Sequence, residues 1–411
     1  MKRLLHILLI SLLTTLGAHA QVGWFDQSTG DETVLFGVEM LDASVAVAVG
    51  PDGVILRTTD GGSSSKLVPS GTQNVLRRIR FHSPTLAVIS ANDGEMLKST
   101  DAGATWAPLQ TGTTKGLYDV HFFDENRWLA IGQGAYVTET TDGGATWKQK
   151  ASGINNWNEI AFRGSFGLMA GNKGDINVST NGGASWTKRS SPDDLELRSV
   201  CILDDSTAVM SGINGTLIKT TNKGRNWKLV YASIPMASNR VSSVRSLTRD
   251  HLVAVAYGGV IIESWNAGET WDPQNSITGQ NLESLSFINS KIGTVVGWNG
   301  TILRTSNGGT MSVRHDGAAL PVGLRILEQY PLPLRHDAVA AGILRLNVEE
   351  AGHVRITAVD VLGRTRATLF DGYLVEGSHS VALQPSALNA GTYILHIAQN
   401  ARAITGKLVI E

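Results

Sequence analysis

The sequence predicts an all-β chain, a ring of seven four-stranded antiparallel units followed by a small β-sandwich. Three observations predict it: a polar octet recurs at nearly constant spacing, each period holds four short apolar-rich runs between Gly, Asn and Asp turns, and the C-terminal part changes to longer alternating strands. The 411 residues, 42% hydrophobic and 17% charged, suit packed domains, and a formal net charge of −1 argues against capture of nucleic acid or anionic membrane by bulk charge.

The N-terminus comes first. Met1-Lys2-Arg3 is basic, Leu4 to Leu16 is almost wholly apolar, and Ala18-His19-Ala20 supplies small residues for cleavage, so residues 1–20 read as a secretory signal peptide. That run is shorter than the ~20 residues a spanning helix needs, and no later segment is long and apolar enough. The single Cys201, in the run LRSVCIL, excludes an internal disulfide and reads as a buried, inert thiol.

STDAGATW (99–106) returns as TTDGGATW (140–147) and STNGGASW (179–186). The third octet residues are Asp60, Asp101, Asp142, Asn181, Asn222, Asn266 and Asn307, spaced by 41, 41, 39, 41, 44 and 41. In the third repeat LYDVHF, RWLAIG, GAYVTET and WKQKAS read as four strands, and such a period is the signature of a β-propeller blade. Residues 21–310 therefore read as a seven-bladed propeller. The seventh octet has Ser312 where five others have Trp, whereas Trp24 is followed by Gly30 six residues on, the spacing of Trp106 to Gly112; Trp24 and its strand are expected to complete the seventh repeat.

A side-chain oxygen at the third octet position can accept backbone N–H bonds, Gly at the fifth tolerates a left-handed conformation, and Trp106, Trp147, Trp186, Trp227 and Trp271 offer faces to pack between strands. Four of seven copies carry Asn, which keeps the acceptor and loses the charge, so acid/base work and hard-cation binding cannot be the shared purpose. The octet resembles the Asp-box of sialidases and related propellers. That resemblance implies a structural turn between third and fourth strands, on the face opposite the binding site.

On that opposite face the candidates are Arg77, Arg198 and Arg240, which enter from different repeats, with Trp157 and Trp298 as stacking surfaces. A sialidase would need three converging arginines, a Tyr–Glu pair and an acid/base Asp. Glu159, Asp193 and Asp194 are the nearby carboxylates, but no FRIP-type segment precedes the first octet. The histidines after residue 20 are scattered, and phosphate-loop, GxSxG and CxxC motifs are absent, so no metal or cofactor is expected.

The repeated pattern of 117–147, seen less fully in 35–65 and 282–309, resembles the photosystem II stability and assembly factor family across residues 22–312. The resemblance implies a seven-bladed, non-enzymatic propeller that binds partner membrane proteins, partly through an arginine patch; Arg77, Arg78 and Arg80 form the local Arg cluster here.

After Asn307 the repeat stops. Residues 311–326 read as a linker and 327–411 as a small Ig-like β-sandwich with six alternating runs. Tyr330-Pro331-Leu332-Pro333, Asp360-Val361-Leu362-Gly363-Arg364, Leu388-Asn389-Ala390-Gly391-Thr392-Tyr393 and Lys407 resemble the C-terminal sorting domain of type IX (Por) secretion. That resemblance implies Sec export, recognition of the tail by the type IX machinery, and release or attachment at the outer surface. The expected protein is thus a secreted or surface-displayed, non-catalytic scaffold that binds a protein or glycan, with a sialidase-type glycoside hydrolase and an assembly factor for a membrane complex as alternatives.

Overall fold

The computed structural model describes residues 23–232, 240–274 and 276–309, and further on 324–330, 342–348, 351–360, 364–375, 377–383, 388–389, 391–399 and 402–410. The signal segment 1–20 lies outside the described residues. The chain divides into two compact units, Met1–Val313 and Arg314–Glu411.

The described residues of the first unit are all strand, turn and short 3-10 segments. In the third repeat the strands Leu117–Phe122, Trp128–Gly132, Val137–Thr140 and Lys148–Ala151 pair in succession, all antiparallel. The second strands are apolar on both faces and wholly buried, as in Ala87–Ala91, Trp128–Gly132 and Leu252–Ala256, because each is covered by the repeats on either side. Repeats five and six join into one eight-stranded sheet through a parallel pairing of Tyr231 and Ala232 with Thr270 and Trp271. The first strands, from Gly37–Met40 through Leu282–Phe287, touch one another in sequence order, and the last touches the first. Across that last contact the Met40 amide donates to Ser286 Oγ at 3.0 Å.

Trp24–Asp26 pairs with Ile302–Thr305, Trp24 opposite Thr305 and Asp26 opposite Leu303, as the N-terminal spacing predicts. The match is closer than strand addition. The Gly23 amide donates to Asn307 Oδ1 at 3.1 Å, which is the bond the Thr105 amide makes to Asp101 Oδ1 within an unbroken octet. The seventh octet is therefore split, its positions one to five at 305–309 and its positions seven and eight supplied by Gly23 and Trp24, while residue 310, the sixth, lies outside the described residues.

All seven octets share the bonds to the third-position oxygen from the first-position hydroxyl and the seventh-position amide, and the bond from the fifth-position amide to the first-position oxygen; a further bond to a seventh-position hydroxyl is made where that residue is Ser or Thr, and not at Asn226 or Gly23. Asp101 Oδ1 accepts from Ser99 Oγ and the Thr105 amide, Oδ2 accepts from Thr105 Oγ1, and Ser99 Oγ accepts from the Gly103 amide. In two of the Asn copies the amide bond is kept and one polarity inverts: Asn181 Nδ2 donates to Ser185 Oγ at 2.8 Å and Asn266 Nδ2 to Thr270 Oγ1 at 2.9 Å. Both the fourth and fifth residues are left-handed, Ala102 at φ 59° and Gly103 at 77°, so the turn needs positive φ at two positions where the sequence reading had one. Trp271 is fully buried, whereas Trp106, Trp147, Trp186 and Trp227 are only half-buried.

In the second unit Leu324–Tyr330, Gly342–Val348 and Gly377–Leu383 form one sheet, and Thr365–Leu374, Gly352–Val359, Gly391–Gln399 and Arg402–Ile410 another. One apolar cluster, including Leu344, Leu346, Val354, Ile356, Val381 and Leu395, draws from both. The linker reading runs too far: Leu324 and Ile326 are already paired with Val348 and Leu346, since the alternation of LRI suits an edge strand. Asp360 accepts from the Arg364 amide and Nε and from Arg366 Nε, closing that turn. Tyr393 donates to the Asn389 carbonyl from the strand that Gly391 opens. Gly363, Pro331, Leu332, Pro333 and residues 311–323 lie outside the described residues, as does the Lys407 side chain.

Candidate functional site

The site begins with a repeated irregularity. In repeats two to seven the first strand carries a β-bulge after its first residue, at Leu76/Arg78, Leu117/Asp119, Trp157/Glu159, Leu197/Ser199, Val241/Ser243 and Leu282/Ser284. A bulged residue leaves the ladder and its side chain is re-aimed. The residues so released are Arg77, Tyr118, Asn158, Arg198, Ser242 and Glu283, and Phe36 holds the matching place in the first repeat. All seven line one cavity of about 480 Å³ at the end of the first unit opposite the octets.

Arg77, Arg198 and Arg240 come together here, and Trp298 joins them. Arg77 donates to Asn92 Oδ1 and lies against the Tyr118 and Phe36 rings, 5.2 and 5.8 Å from their centroids. Arg198 pairs with Glu196 at 2.7 Å. Arg240 reaches Glu283 and the Tyr257 hydroxyl; Tyr257 in turn donates to Glu283 Oε1 at 2.8 Å, which also accepts from Trp298 Nε1 at 2.9 Å. Burial lowers the Arg77 and Arg240 pKa values, and the Arg198 charge adds to the effect at Arg240. Burial and then the Glu283 charge push the Tyr257 phenol up to about 12. Arg240 Nε is buried without an acceptor among the described residues.

Trp157 departs from its expected role. It is buried, 6% exposed, and packs with Leu129, Ile131 and Met169, because the bulge turns Asn158 rather than Trp157 toward the cavity. Glu159 also lies elsewhere. One level below the cavity it accepts from Arg78, Arg80 and Arg245 at 3.2, 2.9 and 2.9 Å and from the Val200 amide. Asp119 accepts from Arg80 Nε and Nη2 and from the Ile160 amide. Burial opposes the Glu159 charge, but Arg245, Arg78 and Arg80 outweigh it and hold its pKa well below the ordinary carboxylate range. The cluster is thus divided: Arg77 and Arg78 both line the cavity, Arg78 also pairs with Glu159, and Arg80 lies within the ion network alone. Asp193 accepts from Ser191 and Thr216 hydroxyls and stays out of the cavity. Asp194 lines an adjoining groove with Ile154, Leu195 and Ile213, which shares Asn156, Asn172 and Glu196 with the cavity. On the far side of the network a second cavity of about 350 Å³ opens, lined by His82, His121, Cys201 and Arg245 among others.

Tyr118 and Glu283 escape a reading that seeks charged loops. Their signal is a fixed offset: the bulged residue lies 24 positions before the third octet residue in six repeats and 23 in the fourth. Among the described residues no group of three or more His, Cys, Asp or Glu is placed to hold a metal ion, and no helix is long and apolar enough to cross a membrane.

Residues 98–291 match the family model described as Photosynthesis system II assembly factor YCF48. The Photosystem II assembly lipoprotein Ycf48 of Synechococcus sp. (strain CC9902) is 26% identical over 197 residues, 38% of this chain; the chain spans 58% of the length of that curated relative. Among solved structures, YCF48 bound to D1 peptide superposes with a TM-score of 0.59 at 16% identity over 69% of this chain and 97% of that one. YCF48 from Cyanidioschyzon merolae gives 0.58 at 18% identity over 69% and 98% of the two chains. The WD40 β-propeller domain of Doa1 gives 0.58 at 13% identity over 72% and 99%. Repeat pattern, sheet order and these likenesses together make the first unit a β-propeller, similar over residues 98–291 to the photosystem II assembly factors.

Proposed function

We propose that the protein is a non-catalytic binding scaffold, a seven-bladed propeller that holds a segment of a partner protein in the cavity ringed by the bulged residues. One observation carries this: three guanidiniums from three repeats converge among aromatic walls above a floor occupied by a buried ion network. An acidic side chain or a chain end suits that lining, since arginine pairs strongly with carboxylate. A structure of YCF48 bound to a D1 peptide is among the fold's neighbours and favours a protein over a glycan ligand. The signal segment and the resemblance of the tail to a type IX sorting domain support a secreted or surface-displayed protein, with the C-terminal unit read as a sandwich recognised by that machinery. An assembly role inside the periplasm is the rival to this destination, and fractionation of producing cells separates the two.

Pull-down from the outer-surface fraction with the full chain, compared with Arg198→Ala, tests the binding reading. The variant is expected to lose about tenfold or more in affinity for whatever the parent retains. Equal retention by both removes the cavity from the account. The hydrogen-bonded Tyr257–Glu283 pair beside three arginines is what a sialidase-type hydrolase would use, so a fluorogenic glycoside panel belongs beside it. No turnover is expected, because a phenol held near 12 keeps its proton and both Arg198 and Arg240 already face glutamates. Turnover abolished by Tyr257→Phe would replace binding with catalysis.

A further inference from the structure

Five of the seven octet turns are tied to the preceding repeat by a side chain that donates across the gap. Arg57 donates to the Ala102 carbonyl, Lys98 to Gly143, Arg127 to Gly182, Gln274 to Gly308 and Gln27 to Gly61, all within 2.9–3.1 Å. These five carbonyls share one place, the fourth octet residue. Between repeats five and six a carboxylate takes over the tie: Glu269 accepts from Lys219 at 2.8 Å and Lys228 at 2.6 Å.

The gap between repeats four and five has neither arrangement. Val178 stands where Lys219 stands one repeat later, Thr187 replaces Lys228, and Arg225 occupies the octet place of Glu269. What remains is a cavity of about 120 Å³ lined by Arg189, Lys223 and Arg225 with the hydroxyl-bearing Thr180, Ser185 and Thr187, and by no carboxylate. None of the three cations has an ion-pair partner among the described residues. Ser185 Oγ accepts from Asn181 Nδ2, which leaves its own proton free to donate outward. Lys223 sits at φ 59°, a left-handed conformation unfavourable for a side chain of its kind.

We infer that this gap is a site for a phosphate group, which takes the place that the Glu269 carboxylate fills in the next gap. Two guanidiniums, an ammonium and a set of hydroxyls supply more donors than a carboxylate can accept, and a tetrahedral oxyanion has oxygens to meet both walls at once. The site is on the octet face and is independent of the cavity ringed by the bulged residues.

The test is the thermal unfolding midpoint and calorimetric binding of the full chain with inorganic phosphate and with a hexose 6-phosphate, each against chloride at equal ionic strength. Saturable binding and a raised midpoint are expected with phosphate and not with chloride. A monoester about tenfold tighter than the free ion assigns the site to an esterified phosphate, and equal affinities assign it to the ion itself; either supports the site. Arg225→Glu installs the carboxylate of the neighbouring gap and should weaken binding about tenfold or more. Lys223→Gly removes the ammonium while relaxing the left-handed backbone, so its loss of binding cannot come from misfolding. Phosphate indistinguishable from chloride, or binding unchanged in both variants, overturns the inference.

Discussion

At the scale of single residues the octet separates shape from charge. Asp60, Asp101 and Asp142 have carboxyl pKa values lowered to about 2, first by a Ser or Thr hydroxyl and then by a backbone amide. A folded-state value below the unfolded one contributes stability that is present above about 3.8 and lost as pH falls toward 2. Asp101→Asn keeps the amide bond and inverts one hydroxyl, as Asn181 already does, so little change in midpoint is expected at neutral pH. Between pH 4 and 2 the variant should lose less stability than the parent, read by thermal melts across that range; parallel pH profiles would contradict this. The third octet position was legible in the sequence because its chemistry is local. The fourth was not: Ala102, Lys223 and Ala267 carry a left-handed backbone that their side chains do not announce.

At the scale of the strand, the bulge decides what faces where. It puts Arg77, Tyr118 and Arg198 into the cavity, and the next residue, Arg78, Asp119 or Glu159, into the network below. Periodicity of two, read straight through LRRIRF or WNEIAF, misplaces these side chains by one position, and Trp157, singled out as an aromatic in a polar loop entry, is buried while Asn158 lines the cavity. The same displacement makes Glu159 a fixture of the interior. Glu159→Gln leaves three guanidiniums without their shared carboxylate and should cost about 3–5 kcal/mol in denaturant unfolding. A loss below about 1 kcal/mol would mean that water, not Glu159, satisfies those arginines.

At the scale of the first unit, the split octet ties both ends of the repeat array together. Trp24 is 4% exposed, its indole donates to Gln274 Oε1 at 2.8 Å, and it packs with Phe287. Trp24→Ala should cost about 3–5 kcal/mol, the range for a buried aromatic. A rearranged chain in which Thr310 is joined directly to Gly23, making the seventh octet continuous, should keep the parent's unfolding midpoint. A collapse of that midpoint would show that the break in the octet is itself required. The repeat number and the N-terminal completion were legible because spacing alone carries them. The cross-repeat ties were not, since Arg57, Lys98 and Gln274 differ in type and reach their carbonyls from different strands.

The ring of bulged residues has a consequence for change over time. A side chain that has left the ladder no longer sets its strand's pairing, and its bonds run to other groups around the cavity, as from Arg77 to Asn92 and from Tyr257 and Trp298 to Glu283. Seven such positions, one per repeat, form a vocabulary that can be rewritten letter by letter while the grammar of the fold stays fixed. A combinatorial library confined to Phe36, Arg77, Tyr118, Asn158, Arg198, Ser242 and Glu283 would therefore sample new specificities without altering strand pairing, with the stability cost concentrated at Asn158 and Glu283, whose buried partners must change with them.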